Sequence, residues 1–220
     1  VKYISILVEG QTEEVFVRDV LTPYWSTQDI FPIATILRTK RVKSGSDFKG
    51  GITRYDRVCN DLNKLLQNRG VELITTMIDY YGLPKDFPKI DEQPEGDLYT
   101  KVEFLELAME QDIGSYRFLP YLSVHEFEAL LFTSPQDIAT AFPDDNKTQQ
   151  LESIKRTYRN PEFINLDNPP AKQISKLLPQ YRKKLHGSQI VKAIGLDDIR
   201  AECPHFNQWL TIIESRLTEE

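Results

Sequence analysis

Six carboxylates carry the first chemical signal in this chain. Glu9, Glu13 and Glu14 lie in "LVEGQTEEVF", directly after the apolar residues Ile4, Ile6, Leu7 and Val8. Asp79 closes the apolar run "VELITTMID", and Glu126 and Glu128 follow a third run in "FLPYLSVHEFEALLF". Neighbouring strands lie about 4.8 Å apart, so acids at adjacent strand ends can share one ion. Hard oxygen donors of this kind suit Mg2+ or Mn2+. Each acid alone has a plainer reading. Glu13 and Glu14 suit the positive end of a helix, Asp79 suits a turn bonded to its own backbone, and Glu126 and Glu128 suit a solvated first turn. Glu9 resists that reading, because four apolar residues deliver it to a strand end. Taken as a set, the acids favour a metal site.

Those acids need elements to position them. Apolar runs predict strands at Tyr3–Val8, Ile33–Arg38, Val71–Asp79 and Phe118–Val124, with Pro120 suiting an edge or a bulge. Helical spacing predicts Thr12–Leu21, capped by Thr12 and stopping before Pro23. A second helix carries Tyr55, Val58, Cys59, Leu62, Leu65 and Leu66 and ends at Gly70, and a third is "LYTKVEFLELAMEQ". Strands alternating with helices imply crossover connections and an α/β fold, a parallel four-stranded sheet flanked by helices, over residues 1–132. Ligands of such sheets gather at the carboxyl ends of the strands. From 133 to 220 the strand signal fades. "SPQDIATAF", "NKTQQLESIKRTY", "NPPAKQISKLLPQYRKK", "GSQIVKAIG" and "LDDIRAECPHFNQWLTIIESRL" read as helices of an extension packed on the core as one compact unit.

Composition narrows the function classes. A chain of 220 residues, 40% hydrophobic and 27% charged, can bury one sizeable core. No apolar run approaches the roughly 18–20 residues of a membrane span, and the start lacks the parts of a signal peptide, so a cytoplasmic location is expected. Cys59 and Cys203 stand apart in helical patterns, which predicts neither a disulfide framework nor a zinc site. A net charge of −6 argues against coating nucleic acid by charge alone. It leaves room for gripping a phosphodiester through a metal and a local basic patch. Arg38, Lys40, Arg41, Lys43, Lys49 and Arg54 form one such patch, and Arg182, Lys183, Lys184, His186 and Lys192 another.

"LVEGQTEEVF" followed by "TMIDYYGLP" resembles the TOPRIM fold of topoisomerases, primases and OLD-family nucleases. In that fold a glutamate ends the first strand and an aspartate motif ends the third. The Glu-Gly-x-Thr-Glu form is similar to the OLD-nuclease branch, and the resemblance implies metal ligation by Glu9 and Glu13. "IDYYGLP", "SVHEFEALLF" and "CPHFNQWL" together resemble, over nearly the whole chain, a bacterial TOPRIM-like family of unknown function. Its members are often encoded beside SMC- or AAA-type ATPases, a setting that suggests phage defence. One departure stands out: TOPRIM proteins usually carry Asp-x-Asp where this chain has Asp79-Tyr80-Tyr81. Three arrangements stay open: a replacement ligand from Glu126 or Glu128, a single ion, or a degenerate site.

Phosphoryl transfer also needs cations against the developing charge. The OLD resemblance implies a lysine near the metals, and Lys172 and Lys184 are the candidates, although each alone suits a solvated helix face. His125 can orient a ligand, His205 reads as a packed core histidine, and Tyr80 and Tyr81 read as base-stacking or packing aromatics. The leading expectation is a Mg2+- or Mn2+-dependent TOPRIM nuclease acting on DNA or RNA. In it Glu9, Glu13 and Asp79 are ligands, joined by Glu126 or Glu128, and Lys184 or Lys172 is electrostatic. The alternative is a non-catalytic module that binds nucleic acid or a partner for a neighbouring ATPase. A phosphotransferase on a small substrate is a third reading. The chain has no phosphate-binding loop of the Walker A spacing, so it is not itself expected to be a P-loop ATPase.

Overall fold

The computed structural model describes residues 1–37, 52–124, 126–164 and 168–218. His125 and the basic run Arg38, Lys40, Arg41, Lys43 and Lys49 lie outside the described residues. The fold is α/β, built on a parallel sheet. Strand β1 (Lys2–Val8) is central and pairs with β2 (Ile30–Ile36) on one side and β3 (Leu73–Asp79) on the other. The fourth strand comes in two pieces, β4 (Phe118–Leu119) and β5 (Leu122–Ser123), both parallel to β3. The order β2-β1-β3-β4 makes the fourth strand an edge.

Pro120 explains that split. It has no N–H to give the ladder, so the chain bulges between the two pieces. Thr76 on β3 fills the gap: its hydroxyl accepts the Tyr121 N–H at 2.9 Å and donates to the Tyr121 carbonyl at 2.9 Å. The single strand expected over Phe118–Val124 is therefore interrupted, at the residue suited to a bulge. The second strand also differs, starting three residues earlier than its apolar pattern implies.

The first helix runs past its expected stop. Helix α1 (Gln11–Phe16) continues through a π turn (Val17–Leu21) into α2 (Thr22–Ser26), which contains Pro23. A proline inside a helix costs about 3 kcal/mol or more, and a widened turn eases its clash with the preceding carbonyl. The Thr22 hydroxyl also donates to the Val17 carbonyl at 2.9 Å. Phe16, Val17, Val20, Leu21 and Trp25 are all buried along this stretch. At about 1.5–3 kcal/mol for each large apolar side chain, that burial outweighs the proline.

Helix α3 (Tyr55–Leu66) leads to β3, and α4 (Leu98–Ile113) leads to β4. Alternating strand residues feed two apolar clusters. Ile4, Ile6 and Val8 pack with Phe16, Leu21, Ile190, Val191, Phe206 and Leu210, so residues from 1–132 and 133–220 share one cluster. Leu7, Ile74 and Ile78 pack with Val58, Leu62, Val102 and Leu105 on the other side. Trp209 adds a polar tie, its indole N–H donating to Thr75 Oγ1 of β3 at 2.8 Å.

After β5 a 3-10 stretch (Phe127–Thr133) precedes α5 (Pro135–Thr140), α6 (Thr148–Thr157), α7 (Pro170–Leu177), α8 (Lys183–Ile194), α9 (Leu196–Glu202) and α10 (Pro204–Thr218). Two helices expected to be continuous are broken, each at the residue before a proline. That residue is driven out of helical geometry: Leu178 before Pro179 has φ −128°, and Cys203 before Pro204 has φ −119°. Both cysteines are free. No helix among the described residues is long and apolar enough to cross a membrane.

Candidate metal centre

Sheet order decides where a ligand site can lie. From β1 the chain runs outward to β2, then returns to place β3 on the other flank of β1. Crevices form at such a switch point, outside the carboxyl ends of the strands. Register puts Val8 opposite Met77, so Glu9 and Asp79 emerge side by side there. The Glu9 N–H still bonds the Met77 carbonyl at 3.3 Å, extending the ladder by one residue. Glu9 Oε2 in turn accepts the Asp79 N–H at 3.3 Å, which fixes its carboxylate over the end of β3.

A glycine makes room: a Cβ on Gly10 would stand 3.2 Å from Glu13 Oε2. At Gly10 the backbone is extended, so closeness of approach, not φ, is what a side chain there would spoil. Helix α1 begins at Gln11 with no side-chain cap. The capping role expected of Thr12 is not seen; Thr12 is buried instead. Glu13 is only 4% exposed, which a plain helix-dipole acid does not require.

Glu128 completes the acidic wall from the 3-10 stretch. It is 0% exposed; Oε1 accepts the Tyr181 hydroxyl at 3.2 Å, and Oε2 lies 2.9 Å from Lys183 Nζ. Glu126 Oε2 accepts the Ala171 N–H at 3.2 Å, at the start of α7. Lys183 owes its position to the break at Pro179, which makes it the first residue of α8. The Arg182 N–H donates to His186 Nδ1 at 2.8 Å and fixes that helix start. A Cβ on Gly187 would stand 3.2 Å from Phe127 Cε1 and 3.5 Å from the Tyr181 hydroxyl, so α8 packs closely on this wall.

The electrostatics are those of carboxylates in excess. Burial raises Asp79 well above the usual carboxylate range, and the Glu9 charge adds to it against the pull of Lys183. Burial also raises Glu9, partly offset by its bond from Asp79 N–H, with Glu13 raising it further. At Glu13 burial outweighs the opposing Lys183 charge. Glu126 is raised by burial and by Glu128. Burial alone would lower Lys183, but Glu128, Asp79 and Glu13 together raise it. One ammonium thus faces several acids.

Such a donor set fits Mg2+ or Mn2+ in kind: all oxygen, and short of positive charge. Its geometry is not yet that of a bound ion. Among the described residues no three His, Cys, Asp or Glu side chains are gathered as a metal-holding group. Lys183 pairs with Glu128, and the convergence on one ion expected from the strand ends is not preformed among the described residues. Glu14, further round α1, keeps the plain helix-dipole reading.

A family profile, "Domain of unknown function (DUF4276)", matches residues 8–214. The chain belongs to the DUF4276 family. The matched span includes Glu9, Glu13, Asp79, Glu126, Glu128 and Lys183. No curated protein and no solved structure matches the chain.

In this DUF4276 chain the structure brings Glu9, Glu13, Asp79, Glu126 and Glu128 to one edge of the sheet. Lys172 and Lys184 are both exposed, and neither has a contact with the acids among those found. The lysine at the site is Lys183, adjacent to one of the two candidates. Tyr181, whose hydroxyl donates to Glu128, also escapes sequence reasoning. Tyr80 donates to Gln93 Oε1 at 2.6 Å, while Tyr81 is 56% exposed. His205 is packed between Tyr99 and Tyr121, with Nε2 3.0 Å from Glu106 Oε1.

Proposed function

We propose that this protein is a metal-dependent phosphodiester hydrolase of DNA or RNA, a TOPRIM-like nuclease similar to the OLD branch. The observation that carries this reading is the placing of Glu9 and Asp79 side by side at the switch point, with Glu13 and Glu128 buried beside them. Keeping several such acids together costs stability, and a divalent cation would turn that cost into binding energy. Glu9, Glu13 and Asp79 would hold the ion, with Glu126 and Glu128 beside them. A bound Mg2+ or Mn2+ supplies Lewis acidity toward a phosphate oxygen and a water of lowered pKa. Lys183 supplies fixed positive charge for the phosphate oxygens, and the exposed Tyr81 ring offers a face for a base. The same reading places the protein as effector of a bacterial anti-phage system, working with an SMC- or AAA-type ATPase.

Tyr81 favours a second reading, because it stands where the TOPRIM pattern has a second acid. Under that reading the site is degenerate and the protein binds nucleic acid or a partner without cutting. Cleavage of plasmid and single-stranded DNA and of RNA with Mn2+, by the parent and by Glu9→Gln, separates the two. The hydrolase reading expects metal-dependent cutting by the parent and at least a 100-fold loss in Glu9→Gln, at an unchanged fold. The amide keeps an acceptor for the Asp79 N–H while losing the charge. A parent inactive on every substrate, also with the ATPase present, leaves the binding module.

A further inference from the structure

The sheet has two edges, and they differ. At the β4–β5 edge two backbone groups are taken by the chain's own side chains. Glu106 Oε1 accepts the Leu122 N–H at 2.7 Å, and Arg216 donates to the Phe118 carbonyl at 3.5 Å. Strand β2 forms the other edge and pairs with β1 alone. The Asp29 carbonyl accepts the Lys2 N–H at 2.8 Å, and the Leu37 N–H donates to the Val8 carbonyl at 2.9 Å. Odd-numbered residues therefore turn their groups toward β1. Direction alternates along a strand, so Ile30, Pro32, Ala34 and Ile36 turn theirs outward. Among the described residues no hydrogen bond reaches these outward groups.

Soluble proteins blunt such an edge with charges or with a cover. The β2 sequence "IFPIATI" carries no charge, and Pro32, which lacks an N–H, is all that blunts it. Exposed apolar side chains gather around it: Val1, Tyr3, Ile33 at 47% and Ile36 at 37%, half of the large apolar side chains exposed among the described residues. Tyr3 and Phe31 stand in register with ring centroids 6.1 Å apart, and Ile33 is next along that face. Charge order in the sequence selects the partner. The strand is bounded by Asp29 before it and Arg38 after it, acid to base, and a strand of that kind complements itself when reversed. We propose that β2 pairs antiparallel with β2 of a second copy of this chain, about a two-fold axis at Ile33. In that register the Ala34 N–H meets the Pro32 carbonyl of the second copy, and Ile30 and Ile36 exchange both of their bonds. Ile33 stands opposite itself, as an isologous interface requires. The pairing continues the sheet through both copies and turns their strand carboxyl ends in opposite directions. The acids of the two copies thus face apart, and neither copy completes the other's candidate centre.

Sedimentation velocity tests the pairing without any turnover. The parent is expected at twice the chain mass. Like charges directly opposite across a strand pair are destabilising, so Ile33→Glu and Ile33→Lys should each weaken the dimer by at least about 100-fold. An equimolar mixture of the two variants should recover it, because each glutamate then faces a lysine. Ile33 is exposed, so both variants should keep the parent's circular dichroism. Ile33→Cys gives a second measurement. Opposed residues of a non-hydrogen-bonded pair have Cα atoms about 4.5 Å apart, within disulfide reach, so mild oxidation should link this variant into a covalent dimer. Ile36→Cys, far from its own copy in this register, should stay unlinked, as should the parent. A parent still monomeric at about 100 μM, charged variants that dimerise as the parent does, a mixture that fails to recover, or an unlinked Ile33→Cys would each overturn the pairing. None of these results bears on the hydrolase reading, which cleavage and metal binding decide.

Discussion

At Asp79 two effects push in one direction, burial and the neighbouring Glu9 carboxylate. Ionising it is harder in the folded chain than in the unfolded one, so at neutral pH it costs stability in the absence of metal. Asp79→Asn should therefore raise the metal-free Tm, by about 2–4 °C for each kcal/mol relieved in a chain of this size. The same variant should lose the Mn2+-dependent rise in Tm that the parent shows. Scanning calorimetry with and without Mn2+ reads both, and a lower metal-free Tm would show that Asp79 is a structural partner instead. Glu9 and Asp79 are legible in the sequence because an apolar strand ends on each. Lys183 is not. It sits in a run of three basic residues, and only the helix break at Pro179 decides which of them faces the acids. The resemblance points to a lysine near the acids without saying which of these neighbours it is, and the one paired with Glu128 is Lys183.

Elements hold the strand ends in register, and the fourth strand shows how. Thr76 replaces the ladder bonds that Pro120 cannot make. Thr76→Val keeps the shape but leaves the Tyr121 N–H and carbonyl unpaired in a buried edge. An unsatisfied buried group costs about 1–3 kcal/mol, so chemical denaturation should show a loss of at least about 2 kcal/mol for the pair. A loss of a few tenths of a kcal/mol would mean that water takes over both groups. Pro120 announces a bulge in the sequence, but the residue that repairs it lies 45 positions away and no local pattern points to it. Pro23 taught the reverse lesson. A proline reads as a stop, yet the buried Trp25 beyond it carries the helix on through a π turn. Local propensity sets the first expectation, and packing of large apolar side chains overrides it.

Across the whole molecule, alternation of strand and helix made the parallel sheet legible, and apolar helical spacing made the later helices legible. How those helices meet the sheet was not, because it depends on side chains far apart in the chain. Glu162 shows this: its carboxylate accepts the His205 and Phe206 N–H groups at 3.1 and 2.9 Å, capping α10 from 43 and 44 residues away. Beside it, burial would lower the His205 pKa, but the bond and charge of Glu106 raise it. Glu106 is itself raised, by burial, with His205 opposing. A histidine raised on folding contributes stability that is complete below its unfolded value near about pH 6.5. That contribution is lost as pH rises through the folded value above it. A raised carboxylate acts in the same direction at lower pH. His186, lowered by burial and by Arg182, acts oppositely. Tm measured between about pH 6 and 9 should fall more steeply in the parent than in His205→Gln, which removes the His205 step together with the charge that opposes the rise of Glu106; identical slopes would place the titration elsewhere. The central claim is that the acids at the switch point hold a divalent ion. It is tested most directly by an anomalous difference map from crystals grown with Mn2+. The account predicts a peak bounded by the carboxylates of Glu9, Glu13 and Asp79. A map with no peak among those three residues at saturating Mn2+ would contradict it.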